Sequence, residues 1–156
     1  MIRFRMAELL DVQQLAQLRW NFRTEDGEIP KVSLEAFVDA YSRWFREGLD
    51  AGKRVHWVAD DSGVIVATAT VVLVEMVPRP CRVTDQFGYL TDTYTVPEYR
   101  NQSLGTKLIQ QVIEWAKERD LELLLVWPSE RAQSFYARLG FTSDGSPDTL
   151  ILRPFE

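Results

Sequence analysis

The stretch Gly88–Thr106, GYLTDTYTVPEYRNQSLGT, decides the fold. Its first half alternates: Tyr89, Thr91, Thr93 and Thr95 fall on one face, and Leu90, Asp92, Tyr94 and Val96 on the other. Aromatic and β-branched residues in that pattern predict a strand. Pro97 brings no N–H and ends the ladder. The polar run Glu98–Gln102 turns the chain, and Ser103 predicts the N-cap of a helix. With Arg100 and Gly105 in the turn, this corner suits an anion. The first N–H groups of a helix have no partner inside it, and its dipole adds about half a positive charge there. Taken alone, such a corner is more often plain architecture.

Downstream, Leu104, Leu108, Val112 and Trp115 predict a helix from Ser103 to about Arg119. Leu121–Trp127, LELLLVW, is almost continuously apolar, as expected of a central strand covered on both faces. Strand, helix and strand make a βαβ unit with parallel strands and a right-handed crossover. Pro128 and Ser129 lead into a short helix, Glu130–Leu139, stopped by Gly140 as its C′ residue. Thr149–Arg153 supplies a last strand.

Upstream, Ile2–Arg5 alternates as a first strand, and Leu15, Leu18 and Phe22 line one face of a helix over about Leu10–Arg23. Thr24–Val32 is a loop. Ser33 caps the clearest helix, which carries Leu34, Phe37, Tyr41, Trp44 and Phe45 on one stripe and runs to about Leu49. Such a stripe is more often core than ligand box. Val55–Asp60 and Val64–Val77 form a hairpin about Asp61-Ser62-Gly63, and a loop follows to Phe87. His56 reads as a structural histidine in the first of these strands.

At 156 residues, 46% hydrophobic and 26% charged, the chain is one globular domain by size. A net charge of −5 without a basic run argues against nucleic acid. One cysteine, Cys81, precludes an internal disulfide and suits a reducing compartment. One histidine makes metal binding unexpected. With no membrane-length apolar run and no signal-peptide core at the N-terminus, the expected location is the cytoplasm, and a homodimer is left open.

Two familiar phosphate loops are excluded. The order Gly105-Thr106-Lys107 puts no hydroxyl after the lysine, as a P-loop requires, and one glycine is too few for a dinucleotide fingerprint. Arg100–Gly105 instead resembles the acyl-CoA-binding motif of the GNAT superfamily of N-acetyltransferases, Gln/Arg-x-x-Gly-x-Gly/Ala. Ser103 stands where its first glycine is usual. A second stretch, Ser129–Phe141, is similar to the family's Asn-x-x-Ala-x-x-Phe-Tyr-x-x-Leu-Gly-Phe, with Ser129 in place of the asparagine. Its spacing alone is that of any amphipathic helix. Two motifs in the right order, a βα unit apart, carry the resemblance.

The resemblance implies an α/β (α+β) GNAT fold: a mixed, mostly antiparallel sheet with a central parallel, splayed strand pair flanked by helices. It implies acetyl-CoA as co-substrate, its pantetheine arm in the splay against Tyr94, Thr95 and Val96. The diphosphate falls on the N–H groups of Gln102, Ser103, Leu104, Gly105 and Thr106 beside Arg100, with Asn101, Ser129 and Phe135 also in the cofactor site. It implies direct acetyl transfer to a primary amine of a small molecule or peptide, with the oxyanion on a backbone N–H near Val96 and Tyr136 protonating the thiolate. Asp92, the one acid within the strand, is the candidate base; a water chain is the alternative. Trp20 and Phe22 are the candidate acceptor contacts. A non-catalytic acyl-CoA-binding or sensing domain of the same fold is the competing function.

Overall fold

In the computed structural model, residues 1–83, 85–143 and 149–154 are described. Seven strands, β1 (Ile2–Met6), β2 (Arg54–Asp61), β3 (Val64–Glu75), β4 (Gln86–Thr95), β5 (Leu124–Val126), β6 (Thr142–Ser143) and β7 (Leu150–Leu152), form one sheet in the order β1-β2-β3-β4-β5-β7-β6. The helices are α1 (Val12–Glu25), α2 (Leu34–Ala51), α3 (Leu104–Glu118) and α4 (Gln133–Arg138). β1 runs antiparallel to β2, and β7 antiparallel to both β5 and β6. β4 and β5 are parallel, in register at Gly88↔Leu124 and Tyr89↔Leu125, and β4 continues on to Thr95. The mixed, mostly antiparallel sheet with one parallel pair is the expected fold class. Packing divides the chain into two compact units, Met1–Thr70 with Asp92–Leu108, and Val71–Thr91 with Ile109–Glu156.

In the first unit the aromatic stripe of α2 is core. Tyr41 and Phe45 are buried with Val12, Leu15, Ala16, Leu18, Val58, Ile65 and Tyr94, while Leu34, expected on the same stripe, is exposed. The ends of α2 follow its residues: Ser33 Oγ accepts the Ala36 N–H at 3.1 Å, and Gly52 closes the helix at φ 65°. α1 runs to Glu25, so the connecting loop is shorter than expected. His56 is buried among Trp44 and Phe45, its Nδ1 2.8 Å from Thr70 Oγ1, while Nε2 has no hydrogen-bond partner among the described residues. Burial, helped by Arg54, lowers its pKa to about 4 and keeps the ring neutral.

In the second unit the expected central strand Leu121–Trp127 shrinks to Leu124–Val126. Leu121 is buried outside the ladder, and Trp127, 58% exposed, lies past its end with Nε1 donating to Thr149 Oγ1 at 3.1 Å. The last strand likewise shortens from Thr149–Arg153 to Leu150–Leu152. Gly88 opens the parallel pair because nothing larger fits: a Cβ there would lie 2.7 Å from Leu124 Cδ2 and 2.9 Å from Val71 Cγ1. Asp85 anchors the chain just before β4, receiving Arg79 Nε at 3.0 Å and Arg82 Nε at 3.1 Å.

Candidate active site

The turn after β4 is built from backbone. Pro97–Tyr99 is a single 3₁₀ turn, with Tyr99 Oη donating to Asp61 at 2.6 Å. Asn101 and Ser103 then adopt left-handed conformations, φ 63° and 61°. Ser103 sits at the N-cap position, its carbonyl taking the Lys107 N–H at 3.1 Å, though not in the extended conformation usual there. Its positive φ gives the physical reason for a glycine at this point of the motif, since only glycine enters that region without penalty. Among the described residues, no backbone carbonyl receives an N–H from Asn101 to Thr106. Donors concentrated at a helix start are the apparatus for an anion.

Arg100 is engaged in this structure. Its Nε donates to the Thr95 carbonyl at 3.0 Å, its Nη2 meets Glu25 Oε1 at 2.7 Å, and the guanidinium lies 5.5 Å from the Tyr94 ring centre. Tyr94 Oη donates to the other Glu25 oxygen at 2.8 Å. Burial and that carboxylate raise the phenol to about 12. Sequence reasoning missed Glu25, because nothing local marks a residue whose partners lie far along the chain.

Asp92 sits inside β4 at φ 53°, so the strict alternation that placed it with Tyr94 and Val96 is interrupted there. Its carboxylate, 8% exposed, meets Arg19 Nη1 of α1 at 3.3 Å. Burial raises its pKa to about 6, against the opposing pull of Arg19 and then Arg23. Tyr41 Oη is buried without a hydrogen-bond partner among the described residues, and burial and the field of Asp92 push its pKa up. Val96 already uses both backbone groups: its N–H donates to Val66 at 2.9 Å, and its carbonyl receives Tyr99 at 3.0 Å. An oxyanion held at Val96 itself therefore displaces a ladder bond. Phe22 stacks on Tyr94 at 5.1 Å and Trp20 tilts against Phe37 at 5.5 Å, so both proposed acceptor contacts also pack within the unit.

In the second unit Ser129 begins a 3₁₀ turn, its carbonyl taking the Ala132 N–H at 2.9 Å, and α4 follows. Tyr136 is buried between Phe135 (5.0 Å) and Phe141 (5.4 Å), edge-on to both. The Phe141 N–H returns to the Tyr136 carbonyl and the Gly140 N–H to Ala137, both at 3.1 Å, with Gly140 at φ 98°. This is a Schellman end, and the Tyr136–Phe141 contact is the apolar pair that accompanies it. The motif Phe-Tyr-x-x-Leu-Gly-Phe therefore contains a helix terminator whatever else it does.

The profile of the Acetyltransferase (GNAT) family matches residues 12–141, and the chain belongs to that family. An uncharacterised N-acetyltransferase of Methanocaldococcus jannaschii is 26% identical over 132 residues, covering 72% of this chain and 58% of that protein. The thialysine N-epsilon-acetyltransferase of Bos taurus is 40% identical over 55 residues, 33% of this chain and 32% of its own length. The chain thus spans less than two thirds of either curated relative. A solved structure described as a "predicted acetyltransferase with acetyl-CoA" from Clostridium acetobutylicum superposes with a TM-score of 0.81 at 25% identity, covering 94% of this chain and 93% of that one.

Proposed function

We propose that the protein is an N-acetyltransferase that moves the acetyl group of acetyl-CoA directly to a primary amine of a small molecule or peptide. The observation that carries the reading is the turn Asn101–Thr106 at the start of α3, whose backbone N–H groups meet no backbone carbonyl among the described residues. Its residues bind the diphosphate, assisted by Arg100. The main chain of Tyr94 and Thr95 pairs with the pantetheine arm as an added strand would. The amine nitrogen attacks the thioester carbon, the C–S bond breaks, and the thiolate takes a proton from Tyr136. Asp92, directly or through water, receives the proton that the amine gives up. Family membership, the shared fold and the acetyl-CoA in the Clostridium structure support this reading.

The experiment is a screen of amines, polyamines, amino acids and peptides for thiol release from acetyl-CoA, with wild type beside Tyr136→Phe. One or more amines should be turned over, and removing the hydroxyl should cut turnover roughly 10²–10⁴-fold while leaving CoA affinity near normal. The rate profile should carry a rising limb near pH 6, where Asp92 loses its proton, below the alkaline rise of the amine. Tight acetyl-CoA binding with no amine turned over would instead make the chain a sensing domain.

A further inference from the structure

Glu25 is out of place as a helix residue. It is the last residue of α1, where a negative charge opposes the helix dipole. Its neighbours Asp26 and Glu28 both pair with Arg23, at 3.5 and 2.8 Å. Glu25 instead reaches the turn after β4 and spends one oxygen on Arg100 (2.7 Å) and the other on Tyr94 (2.8 Å). Arg100 is meanwhile tethered by its Nε to Thr95. Its guanidinium is thus fixed at the base, with its outer edge on an anion of the protein's own. The pair is only half-buried, 41% and 40% exposed, so it is weak enough to be exchanged.

We propose that Glu25 is an internal stand-in for the cofactor's diphosphate, a positioning residue that occupies Arg100 until acyl-CoA displaces it. The inference rests on reading the turn as the diphosphate site. A diphosphate brings more charge than a carboxylate and matches the planar fork of arginine, so it takes over the guanidinium edge. Arg100 keeps its tether to Thr95, and Glu25 keeps the hydrogen bond from the Tyr94 hydroxyl. Cofactor arrival thereby releases the end of α1 from the turn, and cofactor departure restores the link.

The test is calorimetric titration with coenzyme A of wild type, Glu25→Gln, Arg100→Gln and the double variant at one ionic strength. Glu25→Gln should tighten binding roughly two- to fivefold, the range for a partly exposed ion pair. Arg100→Gln should weaken it about tenfold or more, and Glu25→Gln should then have no further effect. Glu25→Ala, which cannot accept a hydrogen bond from Arg100, should move affinity in the same direction. Equal melting temperatures check that the variants fold. If Arg100→Gln weakens binding but neither Glu25 variant tightens it, the stand-in is refuted and the diphosphate reading survives. A gain that persists without Arg100 also refutes it, since the effect would then be general charge removal. Coenzyme A affinity unchanged by Arg100→Gln would overturn the diphosphate role of Arg100, and the inference with it.

Discussion

The turn at Arg100–Thr106 and the helix end at Tyr136–Phe141 both depend on left-handed backbone, and they use it in opposite ways. At the helix end the left-handed residue is Gly140, and the conformation lets two N–H groups return to helix carbonyls. Every group it turns is consumed locally. At the turn the left-handed residues are Asn101 and Ser103, which carry side chains, and among the described residues no backbone carbonyl takes the N–H groups there. Asp92 adds a third such residue within the same stretch. Strain accepted without local hydrogen bonds in return sets the turn apart, whereas the left-handed residue of Ser129–Phe141 serves a helix terminator.

The comparison can be broken experimentally. The largest effect is expected from Gly105→Asp, which sets a negative charge against the diphosphate. Coenzyme A affinity by calorimetry should fall roughly 100-fold or more while the melting temperature holds. Unchanged affinity would return the turn to plain architecture.

Next is the pH dependence of stability. Asp92, raised to about 6, is protonated in the folded chain and ionised in the unfolded one between about pH 4 and 6, so its contribution falls as pH rises. His56, lowered to about 4, is neutral when folded and protonated when unfolded over the same window, so its contribution rises. The two slopes oppose. Asp92→Asn should therefore unmask a loss of stability on acidification approaching about 1.4 kcal/mol per pH unit, read from urea unfolding at several pH values. A slope like that of wild type would mean that the carboxyl titrates alike in both states.

Gly140→Ala should cost about 1–2 kcal/mol of stability for its left-handed φ, with coenzyme A affinity unchanged. Its Cβ would meet Leu152 only at an ordinary 3.6 Å, so sterics add little. The smallest effect is that of Ser103→Gly. Relief of a strained φ, less the added chain entropy, should stabilise by about 0.5 kcal/mol without weakening coenzyme A binding. Weaker binding there would give the serine hydroxyl a contact with the cofactor.

What was legible in the sequence was local. α2 has a capping serine, an apolar stripe and a closing glycine within one run, and its bounds differ from expectation by two residues at the C-terminal end. β5 was legible in place but not in extent, because an apolar run cannot distinguish ladder residues from buried coil such as Leu121 or an exposed ring such as Trp127. The turn was legible as a corner between strand and helix, but its left-handed residues were not, since Asn and Ser do not announce a positive φ as glycine does. The pairs Arg19–Asp92 and Glu25–Arg100 were hidden for another reason. Each joins α1 to residues more than a sheet strand away in the chain, and no periodicity encodes such a meeting. Trp20 and Phe22 were read as acceptor contacts from their residue types alone, and the ring contacts they make, Trp20 with Phe37 and Phe22 with Tyr94, were not legible there.

The strand order has a consequence for how the chain acquires its structure. β2 and β3 are joined by the two-residue turn Ser62-Gly63, and β4 follows next to β3, so these neighbours meet at low loop-closure cost. β5 reaches β4 only after α3 has been made, and β7, its other neighbour, comes later still. A ribosome therefore releases the β2–β4 meander before the strand that closes the parallel pair exists. Pulse-labelled hydrogen exchange during refolding should show amides of β2 and β3 protected ahead of Leu124–Val126; simultaneous protection would mean that the crossover forms within the nucleus. Until β5 arrives, one side of β4 is an open edge able to pair with a strand from another chain. The interval between Thr95 and Val126 leaving the ribosome is thus the period in which that edge of β4 has no partner strand from its own chain.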